Sequence, residues 1–450
     1  MLVKLIKHLG NLVFFIKKLM KSKKILLLEK ILHFMAVAVL KRHKPKIVAI
    51  TGSVGKTSTK TAVFQVLSAK FAVRENQKNY NNEIGIPLTI LGCESGGNNL
   101  LAWFGVVLKW LWVLLWPQYP EILVLELGVD RPGDMAYFMS FVVPTVAIVT
   151  NVSASHLEFF ASVEKIAKEK SVLVKALPEN SFAILNLDDE LVAKMSNLTN
   201  AQVLTFGLNQ DATVNVSNLI YNYQGEKPDG LSFKLNYAGK NIPIRLKHIL
   251  AGHSVYAALA AVTTGIVFKM NLVEIAQALE ELKAPTGRMN LVAGMGGSYI
   301  LDDTYNASPV SAKAALETLA QLQAKRKIAV LGDMLELGKE SEAGHLEVLK
   351  KALQNEVDLV LLMGDRMKLA MEEFAKEGLP TAKIMHFENH QAVISTLQNM
   401  LKAGDFVLVK GSQGMRMEKI VAGILAQPKE SEKLLCRQAK KWLQIPYSKP

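Results

Sequence analysis

The chain has 450 residues, 50% of them hydrophobic, with 53 Lys or Arg against 40 Asp or Glu and a formal net charge of +13. That length and apolar content can fill two or three cores at roughly 100–200 residues per domain, so a single small module is excluded. Two cysteines, Cys93 and Cys436, are too few for a disulfide framework or a cysteine metal cluster, which points to a reducing compartment and a cytoplasmic protein.

The excess charge is local. Residues 1–46 hold twelve Lys or Arg and one acid, Glu29, leaving the rest of the chain almost balanced. Leu2, Leu5, Ile6, Phe14, Phe15 and Phe34 are mixed with those cations. Segment 1–45 therefore reads as a short basic amphipathic helical N-terminus suited to an anionic membrane surface, with a solvated basic helix packed on its own domain as the alternative. Lys17, Lys18, Lys21, Lys23 and Lys24 interrupt its apolar stretches and no small-residue cleavage site stands out, which argues against a secretory signal. Nucleic acid is not expected as a partner, because no reading module or base-stacking pattern accompanies the cations.

From Lys46, KIVAI predicts a short strand, TGSVGKT a glycine-punctuated turn and TKTAVFQVLSAK a helix. ILVLELG (122–128) and TVAIVTNV (145–152) predict buried parallel strands, and SVEKIAKEKSVLVKAL a helix. Within this series lies LLAWFGVVLKWLWVLLW (100–116), broken only by Lys109 and slightly short of the ~20 residues a spanning helix needs. A single crossing would put two halves of one nucleotide-binding domain on opposite sides of a membrane. An insert at about 98–118 is expected instead: an interfacial helix with Trp103, Trp110, Trp112 and Trp116 at headgroup level, an apolar helix packed on a partner, or a buried core helix. Residues 201–246 alternate in polarity between turn signals and predict hairpins at the domain edge. Helices follow at VYAALAAVTTGIV and NLVEIAQALEEL. APTGR (284–288) supplies a linker, after which SYILDD, KIAVLGD, LVLLMGD and FVLVKGS alternate with helices in a second α/β domain of doubly wound type. The expected organisation is thus a central P-loop ATPase domain with a parallel sheet at 46–283, a C-terminal α/β domain at 284–428 and a tail at 429–450.

Gly52, Ser53, Val54, Gly55, Lys56, Thr57 and Ser58 stand between a predicted strand and a predicted helix. Backbone N–H groups there can cradle the phosphates of ATP, Lys56 can hold the β and γ oxygens, and the Thr57 hydroxyl can ligate magnesium. Ile50 occupies the position where the strict pattern has glycine. Glu126 ends one strand and His156 lies just beyond the next, at the strand ends where open α/β sheets place ligands. Carboxylate and imidazole together can hold a divalent ion, although singly Glu126 reads as a capping or paired acid and His156 as an ordinary loop histidine.

TGSVGKTSTK, NYNNEIGIPLTIL, LELGVDRPGD, NVSASHLEFF, IAKEKS, TGR, LDDTYNASPVSAKAALETLA, VLGDMLELG and VLVKGSQGMRME resemble, in this order, the motifs of the Mur ligases. DDTYNASP followed by LGDMLELG is similar in particular to the branch of that family that adds D-alanyl-D-alanine. The resemblance implies an ATP-dependent ligase that joins a muramoyl-peptide carboxylate to D-alanyl-D-alanine through an acyl phosphate, in peptidoglycan precursor synthesis. A related ligase with another acceptor, such as a folylpolyglutamate-like enzyme, and a non-catalytic membrane-associated nucleotide-binding scaffold are the alternatives.

The same resemblance implies two magnesium ions, with Thr57 and Glu126 on the first and His156 on the second. Lys170 falls where the family carries a carbamylated lysine, whose added carboxylate would also ligate the second ion. Lys56, His156 and Lys170 are the catalytic candidates on this reading. Arg288 and Asp303 match positions that approach ATP phosphate and ribose from the C-terminal domain, so that the site would form on domain closure. Asn306, Ser308 and Pro309 lie where the amino component is expected. The chain departs from the family at AGHSVYAALAA, where Ser254 and Ala257 replace asparagines tied to adenine recognition, and at Gln413, where arginine is common. Only about 45 residues precede the ATP domain, fewer than a domain gripping the uridine nucleotide would need. A monomer in the cytoplasm is expected, held at the inner face of the membrane by the basic segment and the tryptophan-rich insert.

Overall fold

The computed structural model describes residues 23–77, 80–153, 157–160 and 162–445. The first half of the basic segment and His156 lie outside the described residues. Helix α1 (Lys23–His43) leads into β1 (Lys46–Thr51), α2 (Lys56–Ser68), β2 (Val73–Glu75), α3 (Gly85–Leu91) and α4 (Leu100–Leu115). Next come β3 (Ile122–Glu126), α5 (Asp134–Met139), β4 (Val146–Val149), α6 (Val163–Lys175), β5 (Phe182–Asn186) and β6 (Gln202–Gly207). β7 (Val214–Gln224), β8 (Lys227–Tyr237), β9 (Lys240–Leu246), α7 (Ser254–Val267) and α8 (Leu272–Glu280) complete the first unit.

Its strands form a nine-stranded sheet in the order β2-β3-β1-β4-β5-β6-β7-β8-β9. Pairing is parallel from β2 through β7 and antiparallel across β7, β8 and β9. The unbroken apolar text of the central strands follows from burial on both faces. In β1, Ile47 and Ala49 enter one core while Val48 and Ile50 enter the other, and in β3 Leu123 and Leu125 alternate with Ile122 and Val124 in the same way. The expected hairpins are β7, β8 and β9, at the sheet edge. Residues 202–207, grouped with them by their polarity, are instead β6, parallel to β5. The reason is that β6 is only half covered until Phe206, so it lacks the continuous apolar run of a central strand.

The second unit comprises β10 (Asn290–Ala293), β11 (Tyr299–Asp303), α9 (Pro309–Gln321), β12 (Arg326–Gly332), α10 (Ser341–Gln354) and β13 (Leu359–Met363). It continues through α11 (Asp365–Lys376), β14 (Ile384–Phe387), α12 (His390–Met400), β15 (Asp405–Lys410) and α13 (Glu418–Ile424). The six-stranded order is β10-β11-β15-β12-β13-β14, parallel except for β10. Helices α9, α10 and α11 pack one face and α12 and α13 the other, the doubly wound arrangement expected from the alternating pattern. Residues 429–445 are not a free tail. Arg416 Nη1 donates to the carbonyl oxygens of Trp442 and Ile445, each at 2.7 Å, and Arg437 Nη1 donates to that of Thr304 at 3.1 Å.

Residues 23–43 of the basic segment are a helix packed on its own domain, because Leu32, Met35, Ala36 and Val39 form a stripe at helical spacing that is buried among α3 and α4. Helix α4 meets this core through Val106 and Val113, and Trp110 Nε1 donates to the Met35 carbonyl oxygen at 3.1 Å. Among the described residues, no helix is long and apolar enough to cross a membrane. Leu32 is 1% exposed, so Leu32→Ala is expected to cost about 2–5 kcal/mol through lost transfer energy and a cavity. Urea unfolding followed by the fluorescence of the α4 tryptophans should show a lower midpoint; an unchanged midpoint would mean that α1 adds nothing to the stability of this unit.

Candidate active site between the carboxyl ends of two sheets

Strand register decides what meets. Ile50 pairs with Glu126 and Thr51 with Val149, which brings the turn after β1, the Glu126 carboxylate and residues 150–153 to the carboxyl ends of three adjacent strands. In the second sheet Asp303 pairs with Lys410 at the carboxyl ends of β11 and β15. Between these two edges lies a cleft of about 590 Å³, walled by the turn and the start of α2 on one side and by Arg288, Asp303 and Asn306 on the other.

The turn is shaped by its neighbours in the fold. Gly55 adopts φ +84° at the start of α2, a conformation open to glycine, and a Cβ on Gly52 would stand 1.9 Å from Thr150 Oγ1. Ser53 N–H donates to the Asn151 carbonyl oxygen (2.9 Å), Val54 N–H donates to Asn151 Oδ1 (2.8 Å), and Thr150 Oγ1 donates to the Val54 carbonyl oxygen (2.7 Å). The N-terminus of α2 opens onto the same cleft, where aligned N–H groups favour an anion.

Two lysines converge on this turn. Lys56 Nζ donates to the carbonyl oxygens of Gly52 (2.7 Å) and Ser53 (3.2 Å). Lys170, carried by α6 and 2% exposed, donates to the same Gly52 oxygen at 3.1 Å. Burial lowers the Lys56 pKa below the usual lysine range, with Glu126 opposing and Arg288 reinforcing the effect. Burial, together with the Lys56 charge, holds Lys170 well below that range. Glu126 is 4% exposed and accepts from Asn81 Nδ2 at 3.2 Å. Asn76 clamps its backbone, accepting from the Glu126 N–H at 2.8 Å and donating to its carbonyl oxygen at 3.2 Å.

From the second unit, Arg288 Nη2 donates to Thr57 Oγ1 at 3.1 Å, and its guanidinium stands 4.2 Å from the Tyr305 ring centroid. The hydroxyl has two lone pairs, so this bond leaves one for a cation. Thr57 and Glu126 on one cleft wall are hard oxygen donors, a set that fits magnesium. Asp303 accepts from Lys410 Nζ at 2.6 Å, and the same ammonium donates to the Asn306 carbonyl oxygen at 3.0 Å. Ser308 borders the cleft, but its hydroxyl caps α9 in a reciprocal pair with Ser311. Pro309 is the first residue of α9, packs against Gly344 of α10 and stands outside the cleft lining. Ser254 and Ala257 do line it, beside Tyr256, whose hydroxyl donates to Asp188 Oδ2 at 2.9 Å.

Residues 50–265 match the profile of the Mur ligase middle domain, and residues 287–413 match that of the Mur ligase, glutamate ligase domain. The UDP-N-acetylmuramoyl-tripeptide–D-alanyl-D-alanine ligase of Escherichia coli (strain K12) is 31% identical over 385 residues, 84% of this chain and 76% of that protein. The ligase of the same name from Bacillus subtilis (strain 168) is 28% identical over 395 residues, 88% and 79% of the two chains. The crystal structure of MurF ligase from Thermotoga maritima in complex with ADP superposes with a TM-score of 0.73 at 26% identity, covering 90% of this chain and 84% of that one. The chain belongs to the Mur ligase family. It is an ATP-dependent ligase of peptidoglycan precursor synthesis.

Within this Mur ligase the structure brings together residues 52–58, Lys170, Glu126, Arg288, Asp303 and Asn306 around one cleft. Asn81, Asp188, Tyr305 and Lys410 were missed as site residues. Lys410 carried a readable signal, being the one charge in the buried run DFVLVK after its first residue and standing at a strand's carboxyl end. Asp188 and Tyr256, 68 residues apart, carried none.

Lys410 is 2% exposed, so Lys410→Met would leave the Asp303 carboxylate buried without its cation and lower stability by roughly 3 kcal/mol. Thermal melts should show a milder loss in the Lys410→Met, Asp303→Asn double variant; additive losses would deny the coupling. Asp302, fully buried, is pushed up to about 6, mainly by burial, with the Thr304 hydroxyl and N–H opposing. Its folded value exceeds its unfolded one, so stability falls as pH rises through roughly 4 to 6. Asp302→Asn should therefore stabilise the protein at pH 7 by roughly 3 kcal/mol, with the gain vanishing near pH 4. Melts at the two pH values check this, and an equal gain at both would trace the effect to something other than charge.

Proposed function

We propose that this Mur ligase joins D-alanyl-D-alanine to the peptide carboxylate of a muramoyl tripeptide, as the names of its relatives say of them. The observation that carries the reading is the convergence of Lys56, Lys170, Glu126 and Arg288 on one phosphate-binding turn, across a cleft whose far wall comes from the second unit. An oxygen of the peptide carboxylate attacks the γ-phosphorus of ATP and ADP departs, leaving an acyl phosphate. The dipeptide amine then attacks the acyl carbon, loses a proton, and the tetrahedral intermediate collapses to amide and phosphate. Lys56, the N-terminus of α2 and Arg288 stabilise charge on the transferring phosphoryl group, and the fixed turn supplies positioning.

Two magnesium ions are part of this proposal. Thr57 and Glu126 would hold the first, and His156 with a carbamylated Lys170 the second; the ions would neutralise phosphate charge. Carbamylation needs a neutral amine to form the N–C bond to carbon dioxide with release of a proton, and the lowered pKa of Lys170 favours that form. Asp303 and Asn306 are assigned to ribose and to the amino component. We further propose domain limits of 46–283 and 284–428, a monomeric state and a cytoplasmic site of action.

Phosphate release from ATP and magnesium should require both UDP-muramoyl tripeptide and D-alanyl-D-alanine, and the product should have the mass of the joined peptide. Release with either component alone, or none with both, would sink the assignment in favour of another acceptor or a scaffold. Lys170→Met is expected to lower kcat by roughly 10²-fold while nucleotide binding survives.

A further inference from the structure

Helix α4 is apolar on every side. Its inward stripe meets the core, yet Leu101, Phe104, Leu108, Trp112 and Leu115 on the opposite stripe are exposed, Leu101 by 80% and Leu115 by 81%. A helix docked on a water-facing domain ordinarily turns polar residues outward. Helix α1 continues this surface. Leu27, Ile31 and Phe34 share its outward face, Phe34 is 64% exposed, and its ring lies 6.1 Å from that of Trp110. The two rows therefore join into one contiguous apolar face, which marks an interaction site where scattered surface leucines would not.

Charge selects the occupant. The one charged residue of α4 is Lys109, and it is exposed; α1 exposes Lys30, Lys41 and Arg42, while its single acid, Glu29, is buried. The chain enters α1 from residues 1–22, which contain five lysines and no acid. Trp112 and Trp116 stack with ring centroids 4.7 Å apart and remain 53% and 44% exposed, as amphipathic rings at a lipid headgroup layer would be. A second copy of this face would set cations against cations. An anionic bilayer instead offers acyl chains to the leucines and negative headgroups to the lysines. We propose that the outer faces of α1 and α4 form a platform that lies in the plane of an anionic membrane surface and holds the ligase there. The platform stands apart from the cleft and does not rest on the identity of the ligase's substrates.

The test is flotation of the full-length protein with vesicles of phosphatidylcholine plus phosphatidylglycerol, and with vesicles of phosphatidylcholine alone. The protein should float with the anionic vesicles, bind the neutral ones weakly and be released by raised salt. The triple variant Leu101→Ser, Leu108→Ser, Leu115→Ser should lose about tenfold or more of the partitioning. Its melting temperature and its phosphate release with soluble substrates should match the parent, because these side chains are exposed and outside the cleft. A triple variant that floats like the parent overturns the proposal, as does equal binding to both vesicle types. A parent protein that binds neither but forms a dimer abolished by the triple variant overturns it too, in favour of a second copy.

Discussion

Two lysine side-chain nitrogens, of Lys56 and Lys170, donate to one oxygen, the carbonyl of Gly52, at 2.7 and 3.1 Å. Lys170 is buried and Lys56 partly so, and Arg288 adds a third cation at Thr57. Cations withdrawn from water and set beside one another raise each other's cost; Glu126 and Asp130 oppose it at Lys56, and Asp130 and Glu169 at Lys170. A polyphosphate answers that field, and a carbamate on Lys170 would answer it from within by placing an anion where the amine stands. The rest of the site is arranged around this local excess of positive charge.

That arrangement is a property of the sheets. Parallel pairing puts the carboxyl ends of β3, β1 and β4 side by side, so the turn, the Glu126 carboxylate and the Thr150 and Asn151 anchors arrive together. The second sheet brings Asp303 and Lys410 to its own carboxyl edge by the same rule. Because Arg288 of the second unit bonds Thr57 of the first, the cleft belongs to neither unit alone. Arg437, beyond the last strand, reaches back to the Thr304 carbonyl and so braces the loop that carries Asn306.

Much of this was legible in the residues because local physics repeats it. Strands covered on both faces must be apolar throughout, so β1, β3, β4, β11, β12, β13 and β15 announce themselves, and a glycine-rich turn before GKT can form only a few shapes. β6 misled because a half-covered strand alternates like a hairpin strand. The DDTYNASP loop was legible as a motif, but the division of labour within it was not: Ser308 and Pro309 build the start of α9, while Asp303 and the Asn306 carbonyl share Lys410. The apolar faces of α1 and α4 were each legible as hydrophobic; that each helix has one face in the core and another in the open depends on which neighbours it meets.

By itself the sequence determined the two α/β units, their strand-and-helix alternation, the phosphate-binding turn and the family, since each is written in spacing over a few to a few dozen residues. Tertiary structure alone decided that Lys170, 118 positions from Gly52, shares its carbonyl with Lys56, that Arg288 reaches Thr57, and that Lys410 neutralises Asp303. On a helix face among Lys165, Lys168 and Lys175, Lys170 reads as one more solvated cation. Only packing against the turn strips away its water, and desolvation is what changes its chemistry.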